Sequence, residues 1–295
     1  VKREFVPGIV TELDIDVYHA SAGISKTGLD TINKSPWLYY SRHLNPDRPP
    51  APQKAGQLEG SLAHCAVLEP DQFSLRYSVP PKDAPRRPTE AQWSAKKPSE
   101  ESIAAMNWWR EFNAQNEGKF PISAEQYETA MRQAESVRRL PEVAEALARG
   151  RAEVSGFWID PETGAQCRCR PDWVNDCGDT GDILLDLKTY GDASADEFRK
   201  QMVRKSYPKQ DAFYTDGYSI ASGRPVLAFI FVAVETEWPY AANAVMLDDD
   251  SKEFGRRHYR KNLATYAECL RTNTWPGYSN AIEIVRLSDW ALNNG

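Results

Sequence analysis

The chain has 295 residues, 41% of them hydrophobic and 26% charged, with 36 basic against 42 acidic side chains and a formal charge of −6. That supplies a true core for one large or two modest domains and excludes collagen, coiled coil and bulk disorder. No apolar run approaches the roughly 20 residues that cross a bilayer, so no membrane association is expected. The acidic total argues against a nucleic-acid protein, since phosphate binding favours basic surfaces, but does not exclude an enzyme that acts on DNA. Five cysteines without framework spacing suit a reducing cytoplasm. The start, VKREFVPG, has neither an apolar leader core nor a Met, and reads as the beginning of a C-terminal fragment of a longer protein.

After an extended lead-in, Ser25 is placed to cap a helix through Leu29 and Ile32 that stops near Ser35. Pro36 suits the first turn of a second helix carrying Trp37, Tyr39 and Tyr40. A Pro-rich connector, Pro46 to Pro52, leads to a helix from about Lys54 to Leu68, closed by Pro70. Pro80 to Pro98, rich in Pro, Lys and Arg, reads as a mobile loop. Helices follow over Ser99 to Asn116 and Ser123 to Ala148, the second opening with a Ser123/Gln126 capping box. From Glu153 the texture turns to period-2 alternation: Glu153 to Ile159, Gln166 to Val174, Ile183 to Thr189, Val226 to Glu235 and Ala242 to Leu247. Helical sequence lies between Thr189 and Val226, opening with a second capping box at Ser194 and Glu197 and breaking at Pro208. A last helix covers about Ser251 to Arg271. The expected fold is mixed α/β, a single domain with a helical front part to about residue 150 and a sheet core from about 151 to 272.

The chemistry concentrates in Pro171-Asp172 and Asp186-Leu187-Lys188. Strand alternation puts Asp186 and Lys188 on one face, opposite Leu185 and Leu187, and groups Arg168, Arg170 and Asp172. If the two strands pair across the turn from Asn175 to Asp182, the carboxylates converge. Two acids can hold a hard divalent cation, leaving the lysine to orient water or offset phosphate charge. By itself the trio is also what a surface ion pair on a sheet looks like. Three features add weight: Gln210 and Tyr214 one helical turn apart, Glu153 at a strand opening, and Gly56-x3-Gly60-x3-His64 along one helical stripe. Glycines inside a helix, each costing about 1 kcal/mol relative to Ala, signal close approach by a backbone or ligand.

In that order, Pro171-Asp172-x13-Asp186-Leu187-Lys188 with His64, Glu153 and Gln210-x3-Tyr214 resembles the RecB-like branch of the PD-(D/E)XK nucleases. Gly23-Ile24-Ser25, Lys34-Ser35-Pro36 with Tyr39-Tyr40, the Gly60 to Pro70 stretch and Arg86-Arg87-Pro88-Thr89 further resemble the RecE-type exonucleases (exodeoxyribonuclease VIII). The resemblance spans about Val17 to Arg271. It implies Asp172 and Asp186 as metal ligands with the Leu187 carbonyl, His64 near the metal, Lys188 as the water-orienting lysine, Glu153 beside the site, and Gln210 and Tyr214 on its DNA-binding side. It implies Mg²⁺, with Mn²⁺ acceptable to an imidazole-containing site, and 5′→3′ digestion of double-stranded DNA leaving 3′ tails for recombination and repair. A ring-shaped homotetramer and a prophage-encoded RecT-like single-strand annealing partner belong to the same picture, as does a serine such as Ser25 on the DNA 5′-phosphate.

Other branch members carry an iron–sulfur cluster on one early and three late cysteines. Here Cys167, Cys169 and Cys177 surround the motif, Cys65 and Cys269 stand apart, and alternation turns Cys167 and Cys169 toward the core, so no cluster is expected. No GxxxxGK[ST] loop is present, which excludes ATP-driven translocation by that motif. Expected phosphate contacts are Lys82, Arg86, Arg87, Lys96 and Lys97 in the loop, Arg168 and Arg170 beside the site, and Arg204, Lys205 and Lys209 before Gln210. The rival readings are an endonuclease or trimming nuclease of other polarity, and a catalytically silent DNA-binding module.

Overall fold

Prolines and caps decide where this chain changes direction. The structure, a computed structural model, describes residues 5–49, 56–279, 281–287 and 292. The lead-in contains a short strand β1 (Gly8–Val10) and helix α1 (Ile15–Ala20), whose cap, Asp14, accepts from Asp16 N and Val17 N. Helix α2 (Lys26–Lys34) starts at Ser25 as expected, and α3 (Pro36–Tyr39) runs on into a π turn over Tyr40–Leu44. Pro50, Pro52 and Lys54 lie outside the described residues. Helix α4 (Gln57–Leu68) is followed at once by α5 (Pro70–Arg76), since Pro70 ends one helix and opens the next. Strand β2 (Tyr77–Ser78) leads into the Pro80 to Pro98 segment, where Thr89 and Gln92 form a capping box on a single turn, α6 (Glu90–Trp93).

Helix α7 (Glu100–Gln115) and strand β3 (Phe120–Pro121), parallel to β2, precede α8 (Ala124–Arg138). The helix expected to reach Ala148 is two: Pro141 has no N–H to continue α8 and instead opens α9 (Pro141–Ala148). Next come β4 (Arg151–Ala152), β5 (Ser155–Ile159), β6 (Gln166–Cys169), β7 (Trp173–Asp176) and β8 (Asp182–Tyr190). The strand expected over Gln166 to Val174 is therefore broken at Arg170–Asp172, and its halves join different sheets. Arg168 and Arg170 do share a side, both lying over the Tyr18 ring, but Arg170 and Asp172 stand in the break and belong to neither strand. Glu153 lies between β4 and β5 at φ +53 rather than opening a strand. Helices α10 (Ala195–Lys205) and α11 (Tyr207–Ser222), strands β9 (Val226–Glu235) and β10 (Ala242–Val245), and α12 (Asp249–Thr272) complete the order.

The main sheet runs β10-β9-β8-β7-β4, with β8 parallel to β9 through the α10–α11 crossover and its other neighbours antiparallel. A second sheet, β1-β5-β6, is antiparallel. Alternation along β8 sends Leu184 to one face, with Phe213, Phe229, Phe231 and Tyr259, and Leu185 and Leu187 to the other, with Leu62, Val67, Ala134 and Val137. The sheet is thus covered by α2, α10, α11 and α12 on one side and by α4, α8 and α9 on the other. The fold class is mixed α/β, as expected.

Candidate active site

The site begins where β7 leaves β8. Antiparallel pairing runs from Asp176↔Asp182 to Trp173↔Leu185 and stops there. Continued by two residues, the register would oppose Pro171 to Leu187, and proline has no N–H to give. The Leu187 N–H donates instead to Asp172 Oδ2 at 2.7 Å, so a side chain fills the place of a strand carbonyl. A strand residue's N–H and C=O project to the same side, so the Leu187 carbonyl faces the same gap.

Into this gap β8 projects Asp186 and Lys188, which form an ion pair. Helix α11 packs over them, and Gln210 Nε2 donates to Asp186 Oδ1 at 2.6 Å. Burial favours a neutral Lys188 amine, but Asp186 and Asp172 outweigh it and hold the ammonium form. For Asp186, burial and then the neighbouring Asp172 charge push the carboxyl pKa upward against the pull of Lys188. The ammonium also lies 5.5 Å from the Tyr207 ring centroid. Tyr214, one turn beyond Gln210, is half-buried against Phe213 and Phe229. Burial raises its pKa well above the usual value, and the Asp186 and Asp172 charges act in the same direction.

His64 arrives from α4. Its Nδ1 donates to the Gly60 carbonyl at 2.8 Å, which leaves Nε2 to meet Asp172 Oδ2 at 3.1 Å. Burial opposes a charged imidazole, but Asp172 outweighs it and lifts His64 to about 9. Burial likewise opposes the Asp172 carboxylate, yet His64, Lys188 and the Leu187 N–H bring it below its ordinary value. The glycine stripe has a different origin from that expected: Gly56 is the α4 N-cap at φ +74, and no atom lies within 4 Å of where a Gly60 side chain would start. Gly60 instead leaves open part of the wall of a cavity of about 1020 Å³, also lined by Glu12, His64, Glu153 and Arg170. Glu153 accepts from Arg170 Nε at 2.6 Å, and its N–H is bonded to the Asp172 carbonyl. Burial, followed by the Asp172 charge, raises its pKa.

The expected phosphate contacts separate into three kinds. Arg86, Arg87, Lys82, Lys96, Lys97, Arg204 and Lys205 are exposed. Lys209 is 4% exposed and bonded to Asp30, which also holds Lys26. Arg168 and Arg170 are turned onto protein acceptors. Ser25 Oγ accepts from Gly28 N at the start of α2. Lys26, which sequence reasoning passed over, shares Asp30 with Lys209, the residue before Gln210, which sets the α2 N-terminus against the start of α11; burial lowers the Lys26 pKa. Its signal was adjacency to the Ser25 cap; Tyr207 gave one too, standing one turn before Gln210. Cys167 and Cys169 are fully buried in the first core cluster.

A family described as a PDDEXK-like domain of unknown function (DUF3799) matches residues 31–288. The chain belongs to this family. Its PD-(D/E)XK character agrees with the motif, and a RecE-type relationship is consistent with it. Among solved structures, a "Putative exonuclease" from Eubacterium rectale superposes with a TM-score of 0.52 at 12% identity, covering 97% of this chain and 100% of that one, and so shares the fold. An alkaline exonuclease from Laribacter hongkongensis aligns at 18% identity over 72% of this chain and 97% of its own, with a TM-score of 0.25. No curated protein matches the chain.

PD-(D/E)XK nucleases generally use divalent metal ions, and the donors here fit one. Among the described residues no three His, Cys, Asp or Glu side chains already form a cage. Lys188 is paired with Asp186, and His64 with Asp172. Asp186 Oδ2 is buried and receives no directed hydrogen bond, only the Lys188 ammonium as ion partner. Two carboxylates, the Leu187 carbonyl facing the same gap and an imidazole whose Nε2 proton a cation can replace form an oxygen-rich set suited to a hard ion.

Proposed function

We propose that this chain is an Mg²⁺-dependent exonuclease, tolerant of Mn²⁺, that digests double-stranded DNA 5′→3′ and leaves 3′ single-stranded tails for recombination. The observation that carries the reading is the meeting of Asp172, Asp186, Lys188 and Gln210 in the gap where β7 leaves β8. A metal held there by Asp172, Asp186 and the Leu187 carbonyl, with His64 alongside, would supply water activation and charge neutralisation. Lys188, fixed as an ammonium, orients the attacking water and offsets phosphate charge rather than taking its proton. Gln210 holds the Asp186 carboxylate in one orientation. Ser25, the free N–H groups at the start of α2 and Lys26 bind the 5′-phosphate, a task suited to a helix N-terminus. Exposed Arg86 and Arg87 meet the duplex backbone. The RecE-type resemblance extends the reading to a cytoplasmic ring-shaped tetramer, processive without ATP, that delivers its tails to a RecT-like annealing protein.

The test is end-labelled linear duplex, with and without 5′-phosphate, incubated with Mg²⁺ and sized over time. Nucleotides should leave from 5′ ends only, faster when the phosphate is present, while closed circles survive. Cleaved circles or release from 3′ ends would reject the polarity and mode. Asp186→Ala should cut digestion by about 10³-fold or more with DNA binding retained; undiminished digestion would overturn the site.

A further inference from the structure

Arg170 carries a connection that phosphate binding does not explain. Its side chain is 9% exposed and sits at the break between β6 and β7, two residues before Asp172. Nε donates to Glu153 Oε2 at 2.6 Å, while Nη1 donates to the Leu13 carbonyl at 2.9 Å and Ser155 Oγ at 2.8 Å. The guanidinium lies 5.4 Å from the Tyr18 ring centroid. Arg168 grips the other end of the same short helix, donating to the Tyr18 carbonyl at 2.7 Å and the His19 carbonyl at 3.2 Å. Together the two arginines strap α1 across the beginning of the catalytic motif.

The acceptor that matters is Glu153. Its backbone is held at φ +53, where a side chain is strained, and its N–H is fixed to the Asp172 carbonyl. Backbone and carboxylate are thus pinned separately, one to Asp172 and the other to Arg170. A carboxylate fixed in this way supports a neighbouring metal ligand without itself moving; a loose one beside Asp172 would repel it or compete for the ion.

We propose that Arg170 is a positioning residue that acts through Glu153, fixing that carboxylate as an outer charge beside the Asp172–Asp186 cation site. This rests on the metal-dependent reading above. Outer partners of this kind typically change metal affinity or activity by about 10–100-fold when removed. Lysine in place of Arg170 can pair with Glu153 but cannot also span Leu13 and Ser155, because it lacks the planar fork.

The decisive experiment measures Mg²⁺ affinity calorimetrically, alongside Mg²⁺ dependence of digestion, for Arg170→Gln, Arg170→Lys, Glu153→Gln and the Arg170→Gln/Glu153→Gln double variant. Arg170→Gln should weaken Mg²⁺ binding about tenfold or more, Arg170→Lys should fall between it and the unaltered protein, and the double variant should be no worse than the worse single. Unchanged Mg²⁺ affinity in folded Arg170→Gln, additive losses, or a rise in KM for DNA alone would overturn the proposal, the last by making Arg170 a phosphate contact. If Arg170→Gln does not fold, Arg170→Lys decides by the same affinity measurement: a loss supports the proposal and no change rejects it. Failure of the unaltered protein to digest DNA with Mg²⁺ would instead strike at the nuclease reading, so the two failures are separable.

Discussion

Asp172 Oδ2 accepts from both His64 and the Leu187 N–H, and the Asp172 carbonyl accepts from Glu153 N. One residue therefore joins a helix from the front half, the central strand and the strap around α1. Pro171 makes this possible by withholding a donor. An ordinary residue there would bring an N–H toward the Leu187 carbonyl and let the β7–β8 ladder run on, with the carbonyl consumed as a strand acceptor. Pro171→Ala should accordingly weaken Mg²⁺ binding by about tenfold while leaving thermal stability unchanged or slightly raised. Calorimetric titration alongside a melting curve checks this, and a folded variant with undiminished Mg²⁺ affinity would defeat the argument.

Among elements, legibility followed the strength of the local signal. β8 and β9 were readable because their apolar runs are long and bounded by turns, and α2 and α10 because Ser25 and Ser194 cap them. The break at Arg170–Asp172 was hidden: inward and outward residues keep alternating across it, and only Pro171, unwelcome inside a sheet, marked the change of partner. α1 has six residues, too few to show a helical period. Lys209 looked like a phosphate contact because its partner Asp30 is far away in sequence. Two helix glycines were missed signals of the same long-range kind. A side chain at Gly217 would overlap the Trp158 ring, and one at Gly255 would overlap the Pro208 carbonyl. The second contact sets the seat of α11 two residues before Gln210. Gly255→Ala should cost about 1–3 kcal/mol, at about 2–4 °C of Tm per kcal/mol for a chain of this order of length. Activity measured well below Tm should fall several-fold further, because the overlap presses on the turn of α11 that seats Gln210 against Asp186. An intact Tm, or full activity in a destabilised variant, would contradict that coupling.

At the scale of the whole molecule the net charge of −6 conceals an uneven distribution. Lys26 and Lys209 share Asp30, whereas Glu12, Asp14, Glu69 and Glu153 line the cavity beside His64, Glu69 and Glu153 being paired there with Arg76 and Arg170. His64 stands among the acids of that cavity, with Nε2 hydrogen-bonded to Asp172 and, as an imidazolium, carrying a proton there. The sign of its pH dependence follows. A histidine raised from about 6.5 to about 9 contributes its full stabilising ion pair below about 6.5, and loses it as pH climbs through about 9. A metal ion that takes Nε2 must displace that proton, so its apparent affinity should rise with pH over the same interval. Near pH 7 binding should release close to one proton. Calorimetry in two buffers of different ionisation enthalpy reads this directly: the apparent enthalpy should differ by about the buffer difference in the unaltered protein, and the difference should disappear in His64→Asn. Equal enthalpies in both buffers would show that the imidazole does not yield its proton to the ion.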